Sequence, residues 1–218
     1  MNVIFLGPPG SGKGTQAKRL AERFKLTHIS TGDVFREAIG KGAALGIEIK
    51  AYVDGGKLVP DELVSRTVFE HLRKLGVKGA YLLDGYPRTV EQAHDLDAFG
   101  KKEGMNWDSV VLFDVANDEL VKRLTSRRQC AKCKEVFNLI SRAPKKENVC
   151  DNCGNALMQR PDDQEDVIRK RLDVYERQTA PVIDHYKNQA GYVRVDGKQD
   201  IDVVFNELEN ALTAIKAH

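Results

Sequence analysis

The chain has 218 residues, 41% of them hydrophobic, and carries 34 Lys+Arg against 32 Asp+Glu for a net charge of +2. That length holds one large or two small domains with a real core, and the near balance of charge excludes a chain built to coat a polyanion or an anionic membrane. Charged residues at 30%, with no apolar run near the ~18 residues a bilayer demands, exclude a membrane-spanning helix.

Residues 1–7 show no basic segment and too short an apolar stretch for an export signal. A cytoplasmic chain with reduced thiols is therefore expected, and its four cysteines need a role other than disulfides. Residues 2–6 form an apolar run that ends in a Gly/Pro cluster, which reads as a buried strand entering a loop. Ala17, Leu20, Ala21 and Phe24 then follow helical spacing over 13–24. Further buried strands are predicted at 80–83, 110–115 and 192–195, separated by helical patterns such as 61–75, 118–124 and 201–215. Strands alternating with helices predict an α/β fold, a doubly wound parallel sheet with right-handed crossovers. Two stretches break the rhythm and read as insertions: 30–59, helical and punctuated by glycine, and 126–163, which carries every cysteine.

Gly7-Pro8-Pro9-Gly10-Ser11-Gly12-Lys13-Gly14-Thr15 joins the first strand to the first helix. Glycines let backbone N–H groups turn inward around an anion, and the helix N-terminus adds its positive dipole end. Lys13 supplies a point charge for phosphate. The general motif places Ser or Thr directly after the lysine to ligate magnesium, but here Gly14 intervenes before Thr15. Magnesium is then held mostly by phosphates and water, with Asp84, at the end of the 80–83 strand, as the candidate carboxylate.

Cys130, Cys133, Cys150 and Cys153 are spaced C-x2-C, sixteen residues, C-x2-C, within the template for a four-thiolate zinc ribbon. Such a site has no open coordination position, so its Zn2+ is structural. Metal binding of this kind can order a segment too small to build its own core.

Ser30-Thr31-Gly32-Asp33, Asp84-Gly85-Tyr86-Pro87-Arg88-Thr89 and Arg160-Pro161-Asp162-Asp163 complete a set of four motifs with the phosphate loop. In order and spacing the chain resembles the adenylate kinases, and more narrowly the long bacterial type with a zinc-binding lid. Tyr86 stands where many members have phenylalanine. The resemblance implies a phosphate-loop nucleoside-monophosphate kinase fold and reversible phosphoryl transfer from MgATP to AMP, giving two ADP. It implies a core of 1–29, 60–125 and 164–218, an AMP-binding insertion at 30–59 and a lid at 126–163.

By the same resemblance Gly10, Ser11, Gly12, Lys13, Gly14 and Thr15 hold the ATP phosphates. Arg123 and Arg127, four apart and on one face if helical, touch the donor phosphates. Val136, Phe137 and Gln199 lie near the ATP base. Arg36 and Arg88 hold the acceptor phosphate, with Pro87 aiming Arg88, while Arg160 and Arg171 bridge the two nucleotides. Thr31, Lys57, Leu58, Val59, Gly85, Tyr86 and Gln92 complete the AMP pocket, although a lone glutamine at 92 equally suits a helix surface. Asp162 and Asp163 close the lid, and Asp162 with Glu165 is also spaced like a capping box. Arg128, Arg169 and Arg177 have no such match and are assigned to the surface.

The expected partners are ATP, AMP and ADP, without nucleic acid or membrane, acting on a monomer. Two other readings stand beside this one. One is a kinase for another nucleoside monophosphate. The other is a zinc-ribbon nucleic-acid-binding ATPase, since residues 126–160 hold eight Lys/Arg against three Asp/Glu. Phe137 is the only aromatic there, so a base-stacking platform is missing. The five histidines, His28, His71, His94, His185 and His218, show no metal or nucleophile spacing.

Overall fold

A computed structural model describes residues 1–217; His218 lies outside the described residues. The chain opens with β1 (Val3–Leu6), α1 (Lys13–Phe24) and β2 (Thr27–Ser30). A helical pair follows, α2 (Thr31–Gly40) and α3 (Ala44–Asp54). Next come α4 (Asp61–Leu75), β3 (Tyr81–Asp84), α5 (Val90–Glu103), β4 (Ser109–Asp114) and α6 (Asn117–Thr125). Three short strands stand apart: β5 (Arg127–Cys130), β6 (Val136–Asn138) and β7 (Leu157–Met158). The chain closes with α7 (Glu165–Val174), α8 (Val182–Tyr186), β8 (Tyr192–Asp196) and α9 (Ile201–Lys216).

The main sheet is parallel throughout, in the order β2-β3-β1-β4-β8. Successive side chains of a strand face opposite ways, and β1 shows the result. Val3 and Phe5 join Leu20 of α1 and Leu208 of α9 on one face, while Ile4 and Leu6 join Leu72 of α4 and Leu96 of α5 on the other. Each such fully buried Leu or Phe contributes about 1.5–3 kcal/mol. Strand β2 is absent from the sequence reading because only Ile29 of its four residues is buried, which leaves no apolar run to detect. The helical pair α2–α3 packs closely: a Cβ on Gly46 would stand 2.2 Å from the Ala38 carbonyl oxygen.

The three short strands form an antiparallel sheet in the order β6-β5-β7. Its interior is a small cluster of Cys130, Phe137, Cys150 and Leu157, flanked by the half-buried Cys133 and Cys153. The 141–148 segment between the cysteine pairs is mostly exposed, as its composition suggests.

Two local expectations are corrected. Helix α6 ends at Thr125 and Arg127 begins β5, so Arg123 and Arg127 do not share a helix face. Pro161–Asp163 is a single 3-10 turn and Gln164 is the N-cap of α7, so Asp162 and Glu165 make no capping box.

Because every strand of the main sheet runs the same way, the C-terminal ends of β1, β3, β4 and β8 share one edge. Their next residues, Gly7, Gly85, Val115 and Gly197, open the loops of the site, and Ser30 of β2 leads into α2 there. In parallel sheets this is the edge where ligands bind.

Candidate active site

At that edge lies one cavity of about 720 Å³, bounded by the main sheet, by α2 and by the small sheet. The phosphate loop forms its floor. Gly10 is left-handed (φ +86°), and a Cβ there would stand 2.8 Å from Leu124 Cγ, so both backbone and space call for glycine. The loop wraps the N-terminus of α1, whose first N–H groups lack intrahelical acceptors and carry the positive end of the dipole. Lys13 Nζ donates to the Gly7 and Pro8 carbonyls at 2.6 and 2.7 Å. Burial, reinforced by the charges of Arg88, Arg171 and Arg127 and opposed by Asp84, lowers its pKa to about 8.

Asp84 closes β3 beside β1 and overlooks the first turn of α1, its Oδ2 standing 3.4 Å from a Cβ placed on Gly14. Burial alone would raise its pKa. His28, whose Nε2 lies 3.5 Å away, together with Lys13 and Arg88, outweighs that effect and holds the carboxyl below its usual range. The group is thus an anion, fit to accept from a metal-bound water.

Six arginines converge, each from a different part of the fold. Arg36 of α2 pairs with Asp33 at 2.7 Å. Arg88, after β3, donates from Nε to the Gly85 carbonyl at 2.7 Å. Arg123 of α6 donates to Glu119 and to the Gly197 carbonyl. Arg127 of β5 makes a two-pronged pair with Asp163, which has no exposed surface, and Arg171 of α7 reaches both Asp162 and Asp163. Arg160, after β7, donates to Gln129. All six line the cavity, whereas Arg128, Arg169 and Arg177 do not. Arg169 and Arg177 pair with carboxylates one helical turn away on exposed faces, and Arg128 binds the Thr125 and Arg127 carbonyls.

Burial, with repulsion among these cations, lowers Arg88 to about 10 and Arg160 to about 9, and lowers Arg171 as well. They remain charged at neutral pH. A cavity with this excess of cations is complementary to a polyanion, and guanidinium forks suit phosphate oxygens.

Of the residues predicted for the AMP pocket, all but Tyr86 line the cavity. Tyr86 has no exposed surface; its ring meets Phe69 edge-on and its hydroxyl pairs with Ser65 at 2.9 Å. Thr31 donates to the Gly85 carbonyl at 2.8 Å. Gln92 is buried rather than on a helix surface. Its Oε1 accepts from the Arg88 N–H, and its Nε2 donates to Asp61 at 2.7 Å. Asp61 also accepts from Thr89, the N-cap of α5, so one carboxylate fixes the loop that carries Arg88. Val136, Phe137 and Gln199 also line the cavity, and Phe137 packs in the interior of the small sheet as well.

The four cysteine sulfurs lie within 4.8 Å of one another. The shortest separations, 3.4 and 3.5 Å, rule out bonded disulfides at about 2.05 Å. They approach the ~3.8 Å edge of a tetrahedron with 2.3 Å zinc–sulfur bonds. Both C-x2-C turns end in a left-handed residue, Lys134 (φ 60°) and Gly154 (φ 71°). Each sends its N–H back to the first cysteine's carbonyl. Two different sequences therefore build the same knuckle, and the cluster can hold one zinc ion. Among the described residues no other group of His, Cys, Asp or Glu meets the same spacing.

Asp61, Gln129 and His28 are site residues that the motifs do not reveal. Each acts across the fold, with no local pattern to mark it.

A family model described as adenylate kinase matches residues 5–191. The adenylate kinase of Fervidobacterium nodosum is 47% identical over 212 residues, 97% of each chain. That of Archaeoglobus fulgidus is 47% identical over the full length of both chains, and that of Clostridium acetobutylicum 47% identical over 99% of this chain and all of its own.

Proposed function

The chain belongs to the adenylate kinase family of nucleotide phosphoryl-transfer enzymes, and from that premise we propose that it transfers the terminal phosphoryl group of MgATP reversibly to AMP, giving two ADP. The observation that carries this reading is the ring of Lys13 and six arginines around a single cavity. Phosphoryl transfer asks little covalent chemistry of a protein; it asks for in-line placement and neutralisation of charge on the transferred oxygens.

In this reading the phosphate loop, Lys13, Arg123 and Arg127 hold the donor phosphates, and Arg36 and Arg88 hold the acceptor phosphate. Arg160 and Arg171 face the group in flight between them. Opposing nucleotide stacks of like charge are drawn together because the cations that separate them are already paid for by folding. Thr31, residues 57–59 and Gln92 frame the acceptor base, with Gln92 exchanging its Asp61 contact for the adenine edge. Val136, Phe137 and Gln199 frame the donor base.

Magnesium enters with ATP, and the Asp84 carboxylate fits it through water, where the ion would neutralise phosphate charge. Zinc fits the four thiolates and would order the small sheet without touching the reaction. We assign 1–29, 60–125 and 164–218 to the core, 30–59 to the acceptor side and 126–163 to a lid. With both segments drawn over the cavity, water is excluded as a rival acceptor.

A coupled assay with ATP and AMP, UMP, CMP or GMP tests the proposal. Turnover with AMP is expected to exceed that with the other three by about a hundredfold, the scale set by unpaired polar groups in a pocket. Faster turnover with any other monophosphate would reassign the acceptor. Salt-sensitive oligonucleotide binding with no ADP formation would favour a nucleic-acid-binding protein.

A further inference from the structure

Arg160 differs from the other cavity arginines in how it is held. Among the described residues no carboxylate comes within 4.0 Å of its guanidinium, and its one side-chain acceptor is the amide oxygen of Gln129, 2.8 Å from Nε. Its neighbours offer no ion pair: Arg127 and Arg36 repel it, while Asp162, Asp163 and Asp33 attract it without coming within 4.0 Å. Left to itself, such a cation would turn toward water.

Gln129 sits on β5, the middle strand of the small sheet, paired with Val136 on one side and Met158 on the other, and the residue is only 9% exposed. Its Nε2 donates to the Lys134 carbonyl at 3.1 Å. Lys134 is the left-handed residue that closes the first cysteine knuckle. The amide therefore has one permitted orientation. Reversing it would set its oxygen against the Lys134 carbonyl and its NH2 against the Arg160 Nε–H, two unfavourable pairs at once. A neutral acceptor also orients a guanidinium without cancelling its charge, which a carboxylate would do.

We propose that Gln129 is a positioning residue, whose carboxamide ties Arg160 Nε to the first cysteine knuckle and leaves the two terminal nitrogens of Arg160 directed at phosphate. The assignment rests on the reading above that Arg160 contacts the phosphates, and it adds the residue through which the cysteine-bearing sheet reaches the chemistry.

A double-mutant cycle in the full-length protein tests it, with kcat, KM for both nucleotides, zinc per chain and melting temperature measured for each variant. Gln129→Met keeps length and bulk but neither accepts nor donates. It is expected to lower kcat about tenfold, with zinc content unchanged, as befits loss of orientation in one charged group. Placed on Arg160→Ala, the same change should cost less than about twofold, because two residues acting through one contact are not additive. Should the methionine variant not fold, Gln129→Asn, which withdraws the amide by one carbon, should show the same pattern. Equal losses in both backgrounds, or a Gln129 variant within twofold of the parent, would overturn the positioning role while leaving the function intact. An Arg160→Ala variant as active as the parent would instead remove Arg160 from the phosphate site, and Gln129 with it.

Discussion

The five-stranded sheet buries aliphatic and aromatic side chains on both faces under α1, α4, α5 and α9, whereas the three-stranded sheet encloses little more than Phe137, Leu157 and two of its four cysteines. The first can be held by area removed from water; the second has too little of it. Solvent exclusion thus suffices in one region, while the other carries a four-sulfur cluster able to hold a metal ion. The cavity and its arginines lie where the two meet.

The widest test of this contrast is Cys150→Ser. Zinc per chain is expected to fall from about one to near zero, since structural zinc sites supply on the order of 10–16 kcal/mol of apparent free energy. Calorimetry should then show the small sheet melting early while the main sheet keeps its own transition. A variant that retained zinc and a single transition would erase the distinction between the regions.

Next in size is Arg88→Ala, expected to lower kcat on the order of a thousandfold, about 4 kcal/mol in barrier, by analogy with arginine stabilisation of phosphoryl transfer. Neither region should weaken, because burial and the charge of Arg171 already disfavour this cation. A loss under tenfold would take Arg88 out of the charge ring. Leu96→Ala strikes the other region. It is expected to cost about 2–5 kcal/mol in urea unfolding, with zinc content unchanged; a coupled loss of zinc would mean the two regions do not fold independently.

The smallest effect is a pH dependence at the boundary. Lys13 titrates at about 8 when folded and near 10.5 otherwise. Between those values the unfolded chain holds the extra proton, so this group's contribution to stability rises with pH across that window. Its charge for phosphate disappears over the same range, so kcat/KM for ATP should fall as pH passes about 8. Activity and stability moving in parallel there would exclude Lys13 as the titrating group.

Elements whose apolar spacing is repeated along the chain were legible from residues alone: the predicted bounds of α1 and α4, Lys13–Phe24 and Asp61–Leu75, coincide with the observed ones. Strand β2 and helix α7 were not. The first buries one residue of four, and the second carries six charged residues in EDVIRKRLDV around the buried pair Ile168 and Leu172. The site divides the same way. Glycine-rich and cysteine-pair motifs carry their geometry locally, so the phosphate loop and the sulfur cluster could be read directly. The placement of Arg123 and Arg127 could not, because the chain leaves its helix between them. Asp61 and Gln129 matter through partners 31 residues away in each case, Gln92 and Arg160.

The Gln159 amide donates to the Thr125 carbonyl where the chain enters and to the Asp163 carbonyl where it leaves, and Asp163 grips Arg127 and Arg171 on either side. Entry and exit are thereby stitched into one narrow neck. A shorter turn grafted between the same two points is therefore expected to leave the strand register of the main sheet in place, which hydrogen exchange on β1 and β4 would check.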